Sequence, residues 1–293
     1  MSSKVGISRG SNRQDNILAA LKPLADDLRE KIARKRRVVI KPNLGFIKHN
    51  LANTQAEAVE AVLMFLRQFY SKKIIIAEST TVGETDRAYF EYDYEDLADK
   101  YNVELRDLND DDFVDFKIYD GRLSPKSEIG LAKTLAKSDF IISVCPMKTH
   151  DSVIVTLGIK NVAVGAIRRK DRSKLHAGPK AINLSIAKIA KKVWPSLSVL
   201  DGFWGMEGNG PVEGEKVEFK TAIASLDAMA ADVMGTILMG YNPQEIGYLS
   251  ELANQKMGTA DPLKMIIMGG NWRTMVRKFK PHESYQQQLK WQT

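Results

Sequence analysis

A single cysteine in 293 residues removes several kinds of chemistry at the outset. Cys145 has no partner for an internal disulfide, and neither an iron–sulfur cluster nor a zinc site built on several cysteines of this chain can form. Its place in the apolar run Phe140-Ile141-Ile142-Ser143-Val144-Cys145 reads as a small core residue rather than a reactive thiol. Long apolar runs are missing too. Nothing approaches the roughly 18 uninterrupted apolar residues of a membrane-spanning helix, and Met1-Ser2-Ser3-Lys4 leads into alternating sequence without the apolar core of a signal peptide. The expectation is a cytoplasmic protein with no membrane partner. Aromatic residues are absent between Lys160 and Lys192, where basic residues are dense.

What is present is ordinary for a globular chain. Hydrophobic residues at 44% and charged residues at 27% exclude a disordered or fibrous protein, and the length suffices for a substantial core. The formal charge of +7 suits an anionic small molecule, nucleic acid or anionic lipid equally well.

Short β-rich runs alternate with helical patterns, which predicts an α/β fold: a mostly parallel or mixed central sheet with helices on both faces. No linker or repeat divides the chain, so residues 1–293 are expected to form one domain with a weakly patterned C-terminal tail at about 272–293. Ile17, Leu21, Leu24, Leu28 and Ile32 share a helix face, kinked near Pro23. Val59, Val62, Leu63, Leu66 and Phe69 mark a second helix, with Asn53 or Thr54 as its N-cap. Further helices are expected over 89–101, 127–137, 181–193, 227–238 and 243–253. Strands are expected at Val38–Ile40, Ile74–Ala77, Val103–Leu105, Phe140–Val144, Leu197–Leu200 and Met265–Met268, with Asn109-Asp110-Asp111-Asp112 as a solvated acidic turn rather than a calcium loop.

In parallel sheets ligands bind beyond the carboxyl ends of the strands. Four of these strands end in charged groups: Lys41-Pro42-Asn43, Glu78-Ser79-Thr80, Lys148-Thr149-His150 and Asp201-Gly202. Strand ends are where chains turn polar in any case, but four together predict a site. A partly desolvated lysine can serve as a base or a Schiff-base amine, and as a cation it stabilises a carboxylate, enolate or phosphate. His150 follows Lys148 by two residues, so an extended chain places both on one face. The run from Asp201 to Gly214 carries five glycines in fourteen residues, and it is neither a Walker loop nor a dinucleotide fingerprint. It reads equally as a tight turn or as a ligand cradle that includes Gly208 and Gly210.

The order Ile40-Lys41-Pro42-Asn43, Met147-Lys148-Thr149-His150, Ile159-Lys160-Asn161, Asp201-Gly202, Glu207-Gly208-Asn209-Gly210-Pro211 and Asp227…Asp232 resembles the bacterial and archaeal family called domain of unknown function 362, over roughly Val38 to Gly258. Members of that family often carry a cysteine-rich, ferredoxin-like segment, which this chain lacks. The resemblance implies no reaction, but it brings Lys160 and Asn161 into the site.

Three functions compete. The first is an enzyme acting on a small anionic carboxylate or phosphate. In it Lys148, His150 and Lys41 are catalytic, and Asn43, Lys160, Asn161, Gly208 and Gly210 bind substrate. Glu78, Asp201 and Glu207 are candidate ligands for a divalent cofactor such as magnesium. The second is a nucleic-acid-binding protein using the basic 160–192 surface, against which stands the absence of aromatic platforms there. The third is a non-catalytic carrier of a bound anionic cofactor, using the same cleft.

Overall fold

A computed structural model of the chain describes residues 2–292. Eleven strands are present: β1 (Ser3–Arg9), β2 (Val38–Lys41), β3 (Ile74–Glu78), β4 (Val103–Asp107), β5 (Phe113–Ile118), β6 (Ser127–Ala132), β7 (Phe140–His150), β8 (Ile154–Thr156), β9 (Leu197–Glu207), β10 (Glu215–Ser225) and β11 (Met265–Gly269). Nine of them form one sheet in the order β11-β1-β10-β9-β7-β2-β3-β4, with β8 paired to the end of β7, while β5 and β6 make a separate hairpin. From β9 to β4 all neighbours are parallel, and β10 and β8 run against them. The fold is therefore the expected α/β type with a mixed, mostly parallel sheet.

Two apolar layers cover the sheet, sorted by the period-two alternation of the strands. Val39, Cys145 and Leu200 face the helices Gly158–Gly165, Pro179–Ala190 and Ala228–Leu238. Ile40, Val144 and Val199 face the other way, onto the helices Arg13–Leu21 and Ala56–Leu66. Cys145 is fully buried, as its apolar run predicts, and burial raises its thiol pKa.

Most helices stand where their periodicity puts them. The first breaks at a short 3-10 turn containing Pro23, and Asp227 caps the Ala228–Leu238 helix through Ala230 N–H at 3.2 Å. Three readings are corrected. The segment 127–137 is not one helix: Ser127–Ala132 pairs with β5, and only Lys133–Ala136 is helical. Gly130 weakens a helix there, and β5 supplies the ladder. The Ala56–Leu66 helix has Gln55 at its N-cap with no side-chain cap bond. Asn53 and Thr54 instead fasten the loop before it, Thr54 Oγ1 donating to Val144 O (2.9 Å) and Asn53 Nδ2 to Phe46 O (2.7 Å). The first half of the glycine-rich run, to Glu207, is strand, because β9 continues that far with β10 as its partner, and only 208–214 form the turn. Around the acidic turn, Asp111 accepts from Thr134 N–H at 2.7 Å and Asp112 pairs with exposed Lys133, as in a solvated connection.

Candidate functional site

Beyond the carboxyl ends of β2, β3 and β7 lies a cleft of about 220 Å³. Lys41, Asn43, Glu78, Lys148, His150, Lys160 and Asn161 all line it, so seven predicted residues converge.

Lys41 is the last residue of β2, and it packs against Gly165, where an added Cβ would come within 2.5 Å of Lys41 Cε. Its ammonium donates to Glu78 Oε1 at 2.5 Å and to Pro42 O at 2.7 Å. Glu78 also accepts from Leu44 N–H (2.5 Å) and Ser79 N–H (2.6 Å). Burial pulls Lys41 below the usual lysine range, and the Glu78 carboxylate opposes the shift. Lys41 and Glu78 thus form a closed, buried ion pair in the cleft wall, with their bonding capacity largely used internally.

Among the described residues no carboxylate bonds Lys148. Its Nζ donates to Ala52 O at 2.7 Å and contacts Asn43 Oδ1 at 3.3 Å. Burial, reinforced by the charge of Lys160, lowers its pKa to about 7. A neutral amine has two hydrogens and one lone pair, and the two acceptors take the hydrogens. The third direction, a proton at low pH and a lone pair at high pH, is left without an internal partner.

Lys160 and Asn161 sit on the Gly158–Gly165 helix. The start of that helix is fixed by Asp232, whose two oxygens accept from Gly158 N–H and Ile159 N–H, both at 2.9 Å. Burial raises the Asp232 carboxyl to about 7. Asn161 Nδ2 donates to Lys41 O and Ser143 Oγ (both 3.0 Å), and its Oδ1 accepts from Asn43 Nδ2 (3.1 Å). This amide chain links β2, β7 and the helix, and so sets where both lysines stand. Lys160 is 7% exposed, and its ammonium makes no side-chain hydrogen bond among the described residues. Burial lowers its pKa to about 8, with Asp151 opposing.

His150 Nδ1 lies 2.9 Å from Asp151 Oδ1 and 3.1 Å from Ser152 N. A ring proton on Nδ1 serves the carboxylate, and its absence serves the amide. Burial and the nearby Lys160 charge push the ring pKa down to about 3, so the imidazole is neutral at physiological pH.

The other predicted residues lie elsewhere. Asp201 follows Val199 by two residues, so alternation turns it to the opposite face from Lys41, where it meets Arg13 Nε at 3.0 Å. It borders a separate cavity with Trp204 and Lys216. Glu207 accepts from Lys280 N–H at 3.0 Å. Gly208 O accepts from Thr149 Oγ1 at 2.9 Å, and a Cβ on Gly210 would lie 2.3 Å from Thr149 O; both glycines pack behind β7, and Pro211 reaches the cleft in their place. Glu78, Asp201 and Glu207 therefore do not form a ligand set. Among the described residues no three His, Cys, Asp or Glu side chains gather as a metal-holding group.

Arg172 is one of the lining residues that sequence reading misses as part of the site. It donates to Thr81 Oγ1 (2.7 Å), Ser79 O (2.8 Å) and Ser79 Oγ, tying the segment after β3 to the cleft wall. Its only signal in the sequence is membership of a basic run. Asp151 and His176 also line the cleft.

The cleft lies at the strand ends of a mixed α/β sheet, the place where such sheets carry their ligands, and it is walled by buried lysines together with Asn43 and Asn161. The chain belongs to the family described as domain of unknown function (DUF362), whose model matches residues 38–236. Among curated proteins it is similar to the thylakoid-associated protein sll1697 of Synechocystis sp., with 27% identity over 232 residues covering 76% of this chain and 68% of that protein. Among solved structures it resembles the lactate racemase apoprotein from Thermoanaerobacterium thermosaccharolyticum, with a TM-score of 0.51 and 15% identity. That likeness covers 80% of this chain but only 56% of the other, and it concerns the fold, which is one an enzyme uses. No helix among the described residues is long and apolar enough to cross a membrane.

Proposed function

We propose that the chain is an enzyme that binds a small carboxylate or phosphate in the 220 Å³ cleft and moves a proton with Lys148. The observation that carries this reading is the contrast among the three lysines. Lys41 is neutralised by Glu78, whereas Lys148 and Lys160 are buried with no carboxylate among the described residues hydrogen-bonded to either. Keeping two unpaired ammonium groups out of water is costly, and an anion between them offsets that cost. Lys148 is also poised near neutrality, which suits a group that takes up and returns protons.

The size of the cleft favours a small ligand, since pockets for drug-sized molecules hold roughly 300–1,000 Å³. Leu175, Ile182 and Ile186 line one side of it, leaving room for a short apolar substituent beside the anionic head. In this reading Lys160 holds the anion, and neutral His150 hydrogen-bonds it. Asn43 and Asn161 keep the amine of Lys148 aimed. A fold neighbour named for racemising lactate agrees with a small carboxylate as ligand.

The basic 160–192 stretch gives nucleic acid less support, because much of it is occupied internally. Arg168 and Lys174 grip Asp171, Arg169 binds Thr80 O and Gly83 O, and Lys188 donates to Lys117 O.

The test is calorimetric titration with L-lactate, whose charge is constant between pH 6 and 9. An ammonium is charged below its pKa, so affinity is full below pH 7 and is lost as pH rises through about 7 to 8, where Lys148 and then Lys160 lose their protons. The expected fall between pH 6.5 and 9 is roughly 10- to 100-fold, the equivalent of one or two charge-assisted hydrogen bonds. An affinity independent of pH over that range contradicts the reading.

A further inference from the structure

Residues 282–292 lie outside the stretch matched by the family model, yet two of them wall a cavity next to the cleft. We propose that this C-terminal tail is a strap that positions the site, with Gln288 as the residue that sets His150. The strap stands on its own geometry, and only its consequence for ligand binding rests on the cleft being a ligand site.

His150 and Ile154 face each other where β7 turns back into β8. Gln288 is 3% exposed, and its side-chain amide bridges the two: Oε1 accepts from Ile154 N–H, and Nε2 donates to His150 O at 2.9 Å. One primary amide thus supplies the acceptor and donor that a further strand would have supplied. Ile154 has φ +67°, a left-handed conformation that a β-branched residue adopts only where its surroundings hold it. The Gln288 bond falls on that residue's own N–H.

The strap is fastened on both sides of Gln288. Ser284 Oγ donates to Asp151 O at 2.7 Å and lies 2.8 Å from Gln288 Nε2. Further along, Trp291 Nε1 donates to Glu245 O at 2.7 Å, and Tyr285 OH donates to Glu245 Oε2 at 2.6 Å. Gln287 and Gln288 also wall a second cavity, which shares Asp151, His176 and Ile182 with the main cleft. The tail therefore borders the approach to the site and fixes the turn from which His150 projects.

The experiment uses the full-length chain carrying Gln288→Met, which keeps the length of the side chain and removes both hydrogen bonds. Hydrogen exchange at the Ile154 amide is expected to quicken by about 100-fold, as for loss of a buried hydrogen-bonded pair. The His150 ring nitrogens are expected to shift in the NMR spectrum, while amides of β1 and β10 keep their rates. If Gln288→Met does not fold, Ser284→Ala at a half-buried position reads the same strap, with an expected acceleration of about tenfold at Ile154. Unchanged Ile154 exchange together with unmoved His150 signals in the folded variant overturns the proposal. Failure of the wild-type protein to bind L-lactate, alongside a faster Ile154 amide in the variant, refutes the cleft reading and leaves the strap standing.

Discussion

Lys148→Met is expected to weaken L-lactate binding by about 100-fold or more while leaving the thermal midpoint close to that of the wild type. Methionine fills nearly the same volume, and the ammonium it removes is buried without a carboxylate partner. The change therefore takes away a desolvated charge together with its function. It also leaves Ala52 O and Asn43 Oδ1 without that donor, at a cost of roughly 1–3 kcal/mol for a buried unsatisfied group, which the loss of desolvation offsets. Calorimetric titration and thermal unfolding of the same sample separate the two effects. A variant that binds normally removes Lys148 from the site, and one that unfolds makes the lysine structural.

Lys41→Met is expected to behave in the opposite way, although both residues end as lysines in strand-end motifs. Here the substitution strands Glu78, which is 2% exposed and held by only the Leu44 and Ser79 amides once the ammonium has gone. Removing one partner of a buried ion pair costs about 3–5 kcal/mol, because the remaining charge is uncompensated. The double variant Lys41→Met/Glu78→Gln should recover a large part of that loss, since it no longer buries a lone carboxylate. Denaturant unfolding of the wild type, both single variants and the double variant measures the coupling. Equal stability of Lys41→Met and the wild type would show that the pair is not structural. The structure thus divides what the motifs had grouped: Lys41 is paired within the cleft wall, and Lys148, on the proposed reading, is the lysine that meets the anion.

The sequence carries the location of the site well and its membership less well. Val38–Ile40, Ile74–Ala77 and Phe140–Val144 are apolar enough to announce central parallel strands, and the groups that follow them do converge. Asp201 fails for a reason also present in the chain. Alternation from Val199 sends it to the face of Arg13, while alternation from Val39 sends Lys41 to the other. Counting parity along each strand would have separated them. Other features have no local signal. β7 runs through Pro146 to His150 because β8 and β9 supply partners, and the run 127–132 becomes a strand because β5 lies beside it. Glycines at 202 and 205 read as loop, yet they serve close packing within β9: an added Cβ would meet Met147 Sδ at 2.8 Å in one case and the Phe279 ring at 2.8 Å in the other. Gln288 sits in a run of three glutamines, and nothing in that run marks it as the buried one.

The proposed function turns on Lys148 as an amine poised near neutrality in an anion-binding cleft. Its most direct test is an NMR titration of 15N-labelled lysine side chains, with the Lys148 signal assigned by its loss in Lys148→Met. The expected result is a Lys148 Nζ that titrates at about 7, well below the surface lysines, and whose pKa rises when L-lactate is bound. A Lys148 that titrates with the surface lysines, at roughly 10.4, would contradict it.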